Sequence, residues 1–448
     1  MQNFMAKKVL VVGLGKSGAA AARFLVGQGA QVTVTDLKEP EQLRAYRDLC
    51  RDLPLSYELG MHRTETFLES DGIVLSPGVS RRSPPVALAT ARGIPITNEV
   101  SLALERIAVP VIAVTGSAGK TTTCTLIARM LEAGGKRVFL GGNIGTPLLT
   151  LLERTEPIDF VVAELSSFQL ELVTPFTPLV AVFTPVAQDH LDRYESMDEY
   201  LAAKRRLAEF CQPSSTVVTS RENPWHERLV AGSRGTRIQY AKGPVPAGFP
   251  GFAYDRDRAR IFGGGFDWDM SRCPAGDKNV ENIMAAACAA MTAGVGPDAI
   301  QAVIDDFRGI AHRLEFVRLR DGVTYFNDSK ATNVLSVLNA LDQFEDQSVV
   351  LLAGGKNKAI DFSPLRDSVQ RKCKLVVTFG EARKALASTL DPVVPVLEAD
   401  SFQHAVEAAA SRAGAGDNVV LSPACASHDM FSSYEERGNL FKSLVGGL

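Results

Sequence analysis

The run Val111-Ile-Ala-Val-Thr115-Gly-Ser-Ala-Gly-Lys-Thr-Thr122 places a β-branched strand, a glycine-bearing turn and the start of a helix in direct succession. A strand that feeds a helix and then returns as another strand builds a parallel sheet. The same alternation recurs along the 448 residues. Runs at 8–12, 31–35, 72–75 and 94–97 read as strands of a first series, with a helix over 19–28 stopped by Gly29. The strand at 111–115 opens a second series, with a helix over 121–133 and further strands at 160–163 and 179–183. Residues 232–277, rich in Gly, Pro, Arg and Asp, read as a small antiparallel excursion or a loop-rich lobe. Helices over 282–294 and 297–307 follow, then a third series with strands at 322–326, 348–352, 374–378 and 418–421. At ~150 residues per domain, the chain divides into three α/β domains, at 1–98, 99–309 and 310–448.

Two turns have the composition of phosphate cradles. Gly13-Leu-Gly-Lys-Ser-Gly18 follows a strand and opens a helix, and Asp36 ends the next strand. Glycines permit close backbone approach, and a helix N-terminus offers N–H groups to a diphosphate. The competing reading is a tight turn without a ligand. Ser76-Pro77-Gly78 follows another strand and can line the same crevice. In the second turn the wider nucleotide-loop pattern would want glycine at 114, where valine stands, but the working parts remain. Gly116, Ser117, Ala118 and Gly119 can wrap phosphate oxygens, Lys120 can neutralise β- and γ-phosphate charge, and Thr121 can ligate Mg²⁺. Two such loops imply two nucleotide-like ligands. A nicotinamide-dependent oxidoreductase needs only the first, and a simple ATPase only the second. Glu164 after the strand at 160–163, His190 after that at 179–183, and Lys204 on a helix could complete a metal site; each could equally be an ordinary polar surface residue.

Composition narrows the partners. Lys+Arg 48 against Asp+Glu 51 leaves a net charge of −3, with no broad basic field for nucleic acid or an anionic membrane. No apolar stretch approaches the ~18–20 residues of a membrane span. The N-terminal lysines and short apolar run read as a first strand rather than a signal peptide. Seven scattered cysteines without a C-x-x-C pair argue against a disulfide framework or zinc cluster and for a reducing cytoplasm.

Taken together, the motifs resemble those of the Mur ligase family, the ATP-dependent amide ligases of peptidoglycan precursor synthesis. The resemblance runs through Thr115 to Thr122, Gly142-Asn-Ile-Gly145, Glu164-Leu-Ser-Ser-Phe-Gln169, Asp189-His-Leu-Asp-Arg193, Ala203-Lys204, His312-Arg313 and Asn327-Asp-Ser-Lys-Ala-Thr-Asn333. The form of residues 13–18, Ser76-Pro-Gly78, and Leu421-Ser-Pro-Ala-Cys-Ala-Ser427 followed by Glu435-Glu-Arg-Gly438 point to the branch that joins D-glutamate to UDP-N-acetylmuramoyl-L-alanine. The resemblance implies a Rossmann-like N-terminal domain, a central P-loop ATPase-like domain with a mostly parallel sheet, and a Rossmann-like C-terminal α/β domain, in a monomer.

Roles carry over residue by residue. ATP would be served by residues 116–122, including Thr122, and by Asn279, Asn282, Arg313 and Asp328. Thr121, Glu164, His190 and a carbamylated Lys204 would hold two Mg²⁺ ions, and Lys120, His190 and Lys204 would form the catalytic set. Gly15, Lys16, Ser17, Asp36, Ser76, Pro77, Gly78, Asn143 and His190 would face the UDP-sugar. Lys330, Thr332, Lys358, Ser427, His428 and Tyr434 would surround the incoming amino acid. Ala118 and Pro185 stand where the family pattern carries asparagine. The alternatives are a relative using another amino acid such as L-glutamate, a nicotinamide-dependent oxidoreductase, and a P-loop ATPase that makes no amide.

Overall fold

A computed structural model describes residues 4–187, 193–246, 249, 251–273, 276–357 and 360–448, with backbone only at 276–278 and 335. The first sheet contains β1 (Lys8–Val12), β2 (Gln31–Asp36), β3 (Ser56–Leu59), β4 (Gly72–Leu75) and β5 (Ile96–Asn98), in the order β3-β2-β1-β4-β5. All of its pairings are parallel. Val9, Leu10, Val11 and Val12 are buried, as befits a central parallel strand covered on both faces. The strand order reverses between β1 and β4, which opens a crevice beyond their C-terminal ends.

The second sheet is built from β6 (Val111–Thr115), β7 (Val138–Gly142), β8 (Phe160–Glu164), β9 (Val180–Phe183), β10 (Thr216–Ser220), β11 (Thr236–Ala241), β12 (Gly251–Asp255), β13 (Arg260–Gly263) and β14 (Phe266–Asp269). Its order is β14-β13-β12-β11-β10-β9-β6-β8-β7. The expected antiparallel excursion starts later than its composition suggests. β11 and β12 still run parallel to their neighbours, and only β12-β13-β14 is antiparallel. One apolar cluster, including Val11, Leu25, Val111 and Phe183, runs through both sheets.

The third sheet contains β15 (Glu315–Arg320), β16 (Val323–Asn327), β17 (Val349–Gly354), β18 (Cys373–Phe379), β19 (Val396–Glu398) and β20 (Asn418–Ala424). Its order is β15-β16-β20-β17-β18-β19, parallel except for the β15-β16 edge pair. Every residue of β17 is buried. The helices expected at 282–294 and 297–307 are Gly276–Thr292 and Pro297–Asp306. By contact density the chain forms two compact units, one with the first two sheets and the other with the third.

Glu99 begins the helix Glu99–Leu104, which Asn98 caps by accepting from Ser101 N. Its side chain is 2% exposed. One carboxyl oxygen accepts from Leu149 N at 2.7 Å, and Oε2 has no partner among the described residues. Burial pushes this carboxyl up to about 7, against the two backbone hydrogen bonds from Leu149 and Leu148. The folded chain therefore holds a proton that the unfolded chain has already released in the ordinary carboxylate range. Glu99 supports the fold at low pH, and that support is lost as pH rises through about 7. Glu99→Gln needs no proton and keeps an oxygen for Leu149. It is expected to be the more stable protein at alkaline pH by ~1–3 kcal/mol. Thermal unfolding of both proteins between about pH 5 and 8 checks this, and parallel curves contradict it.

Candidate active site

The central loop sits where β6 hands over to the helix Lys120–Ala133. Gly116 has φ +156°, and a Cβ there would collide with Thr184 Oγ1, so this turn requires glycine. Gly119 has φ +80° and forms the N-terminal cap of the helix. A helix of 14 residues thereby directs its N-terminus toward the loop, the arrangement that favours bound anions.

The loop's donors are folded inward. Lys120 Nζ donates to Gly116 O at 3.0 Å and to Ser117 O at 2.9 Å. Ser117 N and Ala118 N donate to Pro185 O at 3.0 and 3.2 Å. The Ser117 hydroxyl lies 2.8 Å from the Tyr200 hydroxyl and donates to Ala187 O at 2.9 Å. Phosphate binding must exchange some of these internal bonds for bonds to the ligand. Thr122 lies in the first turn of the helix, partly exposed.

Three elements meet at Glu164, the last residue of β8, which is 2% exposed. Thr121 Oγ1 donates to Glu164 Oε2 at 2.8 Å, and Asn143 Nδ2 donates to Oε1 at 2.8 Å. Asn143 N also donates to Glu164 O at 2.8 Å. Lys204 lies on the helix Met197–Glu209, which Ser196 caps. It is 1% exposed, so the solvated-lysine reading is wrong. Its Nζ donates to Gly116 O at 2.8 Å and lies 4.6 Å from the Tyr200 ring centroid. Asn282 Oδ1 accepts from Thr123 Oγ1 at 3.3 Å and packs beneath Gly119. Asn279 is one turn earlier on the same helix. His190 and Lys358 lie outside the described residues.

The first sheet gathers a second group. Asp36 accepts from Leu14 N at 2.7 Å and Lys38 N at 2.9 Å, so its carboxylate fixes the turn that contains Gly15. The Ser76 hydroxyl donates to Gly13 O at 2.7 Å, tying the turns after β1 and β4 together. A Cβ on Gly18 would collide with Gly13 O, which explains the third glycine. Lys16 is exposed at the start of the helix Lys16–Gly27, and Ser17 is partly buried beside it. Arg193 donates to Pro77 O and Val79 O, both at 2.9 Å, and its guanidinium lies 3.7 Å above the Phe168 ring. Sequence reading includes Arg193 in a motif but misses this hold on the segment containing Pro77 and Gly78.

In the third domain, Asp328 is buried beyond β16. It accepts from the Ser422 hydroxyl at 2.8 Å and from Leu314 N at 3.2 Å. Burial pushes its carboxyl up to about 7, opposed by these two bonds and by the charge of Arg313. Arg313 itself is exposed. Lys330 Nζ lies 5.3 Å from the Tyr434 ring centroid, and the His312 ring meets the same tyrosine edge-on at 5.9 Å. Thr332 is partly exposed, Ser427 is buried, and His428 is exposed.

The buried carboxylate of Glu164 beside the Thr121 hydroxyl provides oxygen donors of the kind a hard divalent cation accepts. Among the described residues, no group of three or more His, Cys, Asp or Glu is arranged to hold a metal.

Comparison with known proteins matches residues 7–98 to the MurD-like N-terminal domain of Mur ligases, 114–290 to the Mur ligase middle domain, and 312–425 to the Mur ligase glutamate ligase domain. A relative from Geotalea uraniireducens, named UDP-N-acetylmuramoylalanine–D-glutamate ligase, is 38% identical over 99% of this chain and 98% of its own. Another of the same name, from Desulfosudis oleivorans, is 40% identical over 98% of this chain and 96% of its own. The chain belongs to the Mur ligase family.

Solved Mur ligases share the fold at lower identity. Thermotoga maritima UDP-N-acetylmuramate-alanine ligase MurC has a TM-score of 0.56 and 18% identity, covering 98% of this chain and 99% of that one. MurF from Acinetobacter baumannii has a TM-score of 0.55 and 14% identity, covering 98% and 93%. In this Mur ligase, the two positions that depart from the family's asparagines, Ala118 and Pro185, touch each other through the Ala118 N to Pro185 O bond. Backbone groups make that contact, so neither position needs an amide side chain for it.

Proposed function

We propose that this Mur ligase joins the carboxylate of UDP-N-acetylmuramoyl-L-alanine to the amine of D-glutamate, with ATP supplying the driving force. The observation that carries this reading is the Lys120, Thr121, Glu164 and Asn143 cluster at the loop after β6, in a chain matched end to end by relatives bearing that name. The domains at 1–98, 99–309 and 310–448 are assigned to the UDP-sugar, ATP, and the amino acid together with part of ATP.

A carboxylate is a poor electrophile at neutral pH. Its oxygen attacks the γ-phosphorus of ATP, the bond to the β-phosphate bridging oxygen breaks, and ADP leaves with that electron pair. The amine of D-glutamate then attacks the acyl-phosphate carbon. The tetrahedral adduct loses a proton from nitrogen and expels inorganic phosphate, leaving the amide. Lys120, freed from its loop carbonyls, neutralises charge on the transferring phosphoryl group. Asn143 and the turns after β1 and β4 position the nucleotide sugar, holding the reacting carboxylate near that group.

Thr121 and Glu164 would hold one Mg²⁺, which when bound screens the triphosphate charge. His190 and Lys204 would hold a second, with Lys204 as its carbamate: the neutral amine adds to CO₂, forms an N–C bond and releases a proton. Lys330, Thr332, Lys358 and Ser427, with His428 and Tyr434 beside them, are assigned to the amino acid. Asn279, Asn282, Arg313 and Asp328 are assigned to ATP. The seven free cysteines, six of them buried, suit the reducing cytoplasm in which this chemistry would run. Among the described residues no helix is long and apolar enough to cross a membrane.

Phosphate release from ATP and Mg²⁺, with product mass measured in each reaction, tests the reading. Release is expected to require both UDP-N-acetylmuramoyl-L-alanine and D-glutamate and to accompany the amide. Amide formation from L-glutamate but not D-glutamate overturns the substrate assignment, and release without either co-substrate and without amide overturns the ligase reading.

A further inference from the structure

Arg437 is fully buried in the third domain, yet every hydrogen bond its guanidinium makes among the described residues goes to a neutral oxygen. It stands in the first turns of the helix Tyr434–Gly447, which Ser433 caps by accepting from Glu436 N. Its guanidinium spans three chain segments. Nε donates to the Ser329 hydroxyl at 2.9 Å and Nη2 to Ser329 O at 2.8 Å. Nη1 donates to Cys425 O at 3.1 Å and, at 3.5 Å, to Gly354 O. Those acceptors lie just beyond or at the C-terminal ends of β16, β20 and β17, which are adjacent in the sheet.

The surroundings are shaped around this group. Gly355 has φ +136°, and a Cβ there would collide with Ala426 O and press on Arg437 Nη1. Lys356 N donates to Ala426 O at 2.8 Å, joining two of the three segments directly. The Ser329 hydroxyl, which accepts from Arg437, donates onward to Tyr434 O at 2.8 Å. Burial lowers the guanidinium's pKa to about 10, so it remains charged at neutral pH. Its direct acceptors are all neutral, with the charge of Asp429 favouring the cation from further off, and burying such a cation is costly where packing alone is needed. A planar fork of fixed donors is suited to holding several carbonyls in one register.

We propose that Arg437 is the positioning residue of the amino-acid seat, locking the segment that carries Lys330 and Thr332 to the segment that carries Ser427, with Gly354 and Gly355 at the end of β17 held between them. The inference rests on the assignment of those residues to D-glutamate. Arg437 acts through them and touches no substrate.

The test compares wild type, Arg437→Met and Arg437→Lys in the full chain. D-glutamate is varied at saturating ATP and nucleotide sugar, and UDP-N-acetylmuramoyl-L-alanine binding is measured separately. Arg437→Met is expected to raise the KM for D-glutamate by about tenfold or more and to leave nucleotide-sugar affinity within about twofold, since residues of the first two sheets are assigned to that ligand. Arg437→Lys keeps the charge but not the fork and is expected to fall between the two. A folded Arg437→Met with an unchanged D-glutamate KM, or with nucleotide-sugar affinity lost to the same degree, overturns the proposal. If Arg437→Met does not fold, Arg437→Lys decides: a KM raised about threefold or more supports the proposal, and a wild-type KM overturns it. Wild type that makes no amide from D-glutamate overturns the functional reading and this inference with it. Wild type that does so beside an unaffected Arg437→Met overturns this inference alone.

Discussion

Lys120→Ala is expected to lower the rate of amide formation by about a hundredfold to a thousandfold. The ammonium is held at the loop by Gly116 O and Ser117 O, beside the helix N-terminus, and exchanging those carbonyls for phosphate oxygens brings its charge onto a bound triphosphate. Negative charge moves onto the bridging oxygen of ADP as the γ-phosphoryl group transfers, and a fixed cation stabilises that change more than it stabilises ground-state ATP. The loss should therefore fall mainly on kcat rather than on the KM for ATP. The fold should survive, because the turn is set by Gly116 and Gly119 and by the Ser117 and Ala118 bonds to Pro185. Steady-state kinetics with a thermal-unfolding control checks both parts. Activity within about threefold of wild type contradicts the role given to Lys120.

Lys204→Ala should be of similar severity, for a different reason. Lys204 is almost completely buried and reaches the loop through Gly116 O. An ammonium buried there, beside Gly116 O and the Tyr200 ring, is costly to desolvate. Conversion to a carbamate replaces a cation with an oxygen anion that Mg²⁺ accepts. Wild type depleted of CO₂ is expected to regain activity when bicarbonate is added. Lys204→Ala is expected to lose activity by about a hundredfold or more and to gain nothing from bicarbonate. A Lys204→Ala protein that behaves like wild type contradicts the metal role, and a wild type indifferent to bicarbonate contradicts the carbamate.

The elements that carry chemistry were the most legible, because strand, glycine turn and helix follow one another within a few residues. Residues 111–133 and 8–27 need no distant information, and their glycines report collisions that any side chain would cause. The pair proposed to hold metal was legible only in part. Residue type makes Glu164 and Lys204 candidates, but only packing shows that Glu164 is shared by Thr121 and Asn143 and that Lys204 is buried. β11 was harder. Thr236–Ala241 alternates like a half-exposed antiparallel strand, yet it is flanked by parallel β10 and β12. Arg437 marks the limit. It reaches Ser329 across 108 positions and Gly354 across 83, and no local pattern encodes a guanidinium shared by three segments.

The most direct measurement follows oxygen from substrate to phosphate. UDP-N-acetylmuramoyl-L-alanine labelled with ¹⁸O in its carboxylate would be converted with ATP, Mg²⁺ and D-glutamate, and the released phosphate examined by mass. Attack of that carboxylate on the γ-phosphorus, followed by loss of phosphate from the tetrahedral adduct, predicts one labelled oxygen in each phosphate and one retained in the amide. Unlabelled phosphate, with both labelled oxygens still on the sugar nucleotide, would mean that ATP is hydrolysed by water and that the loop serves another purpose.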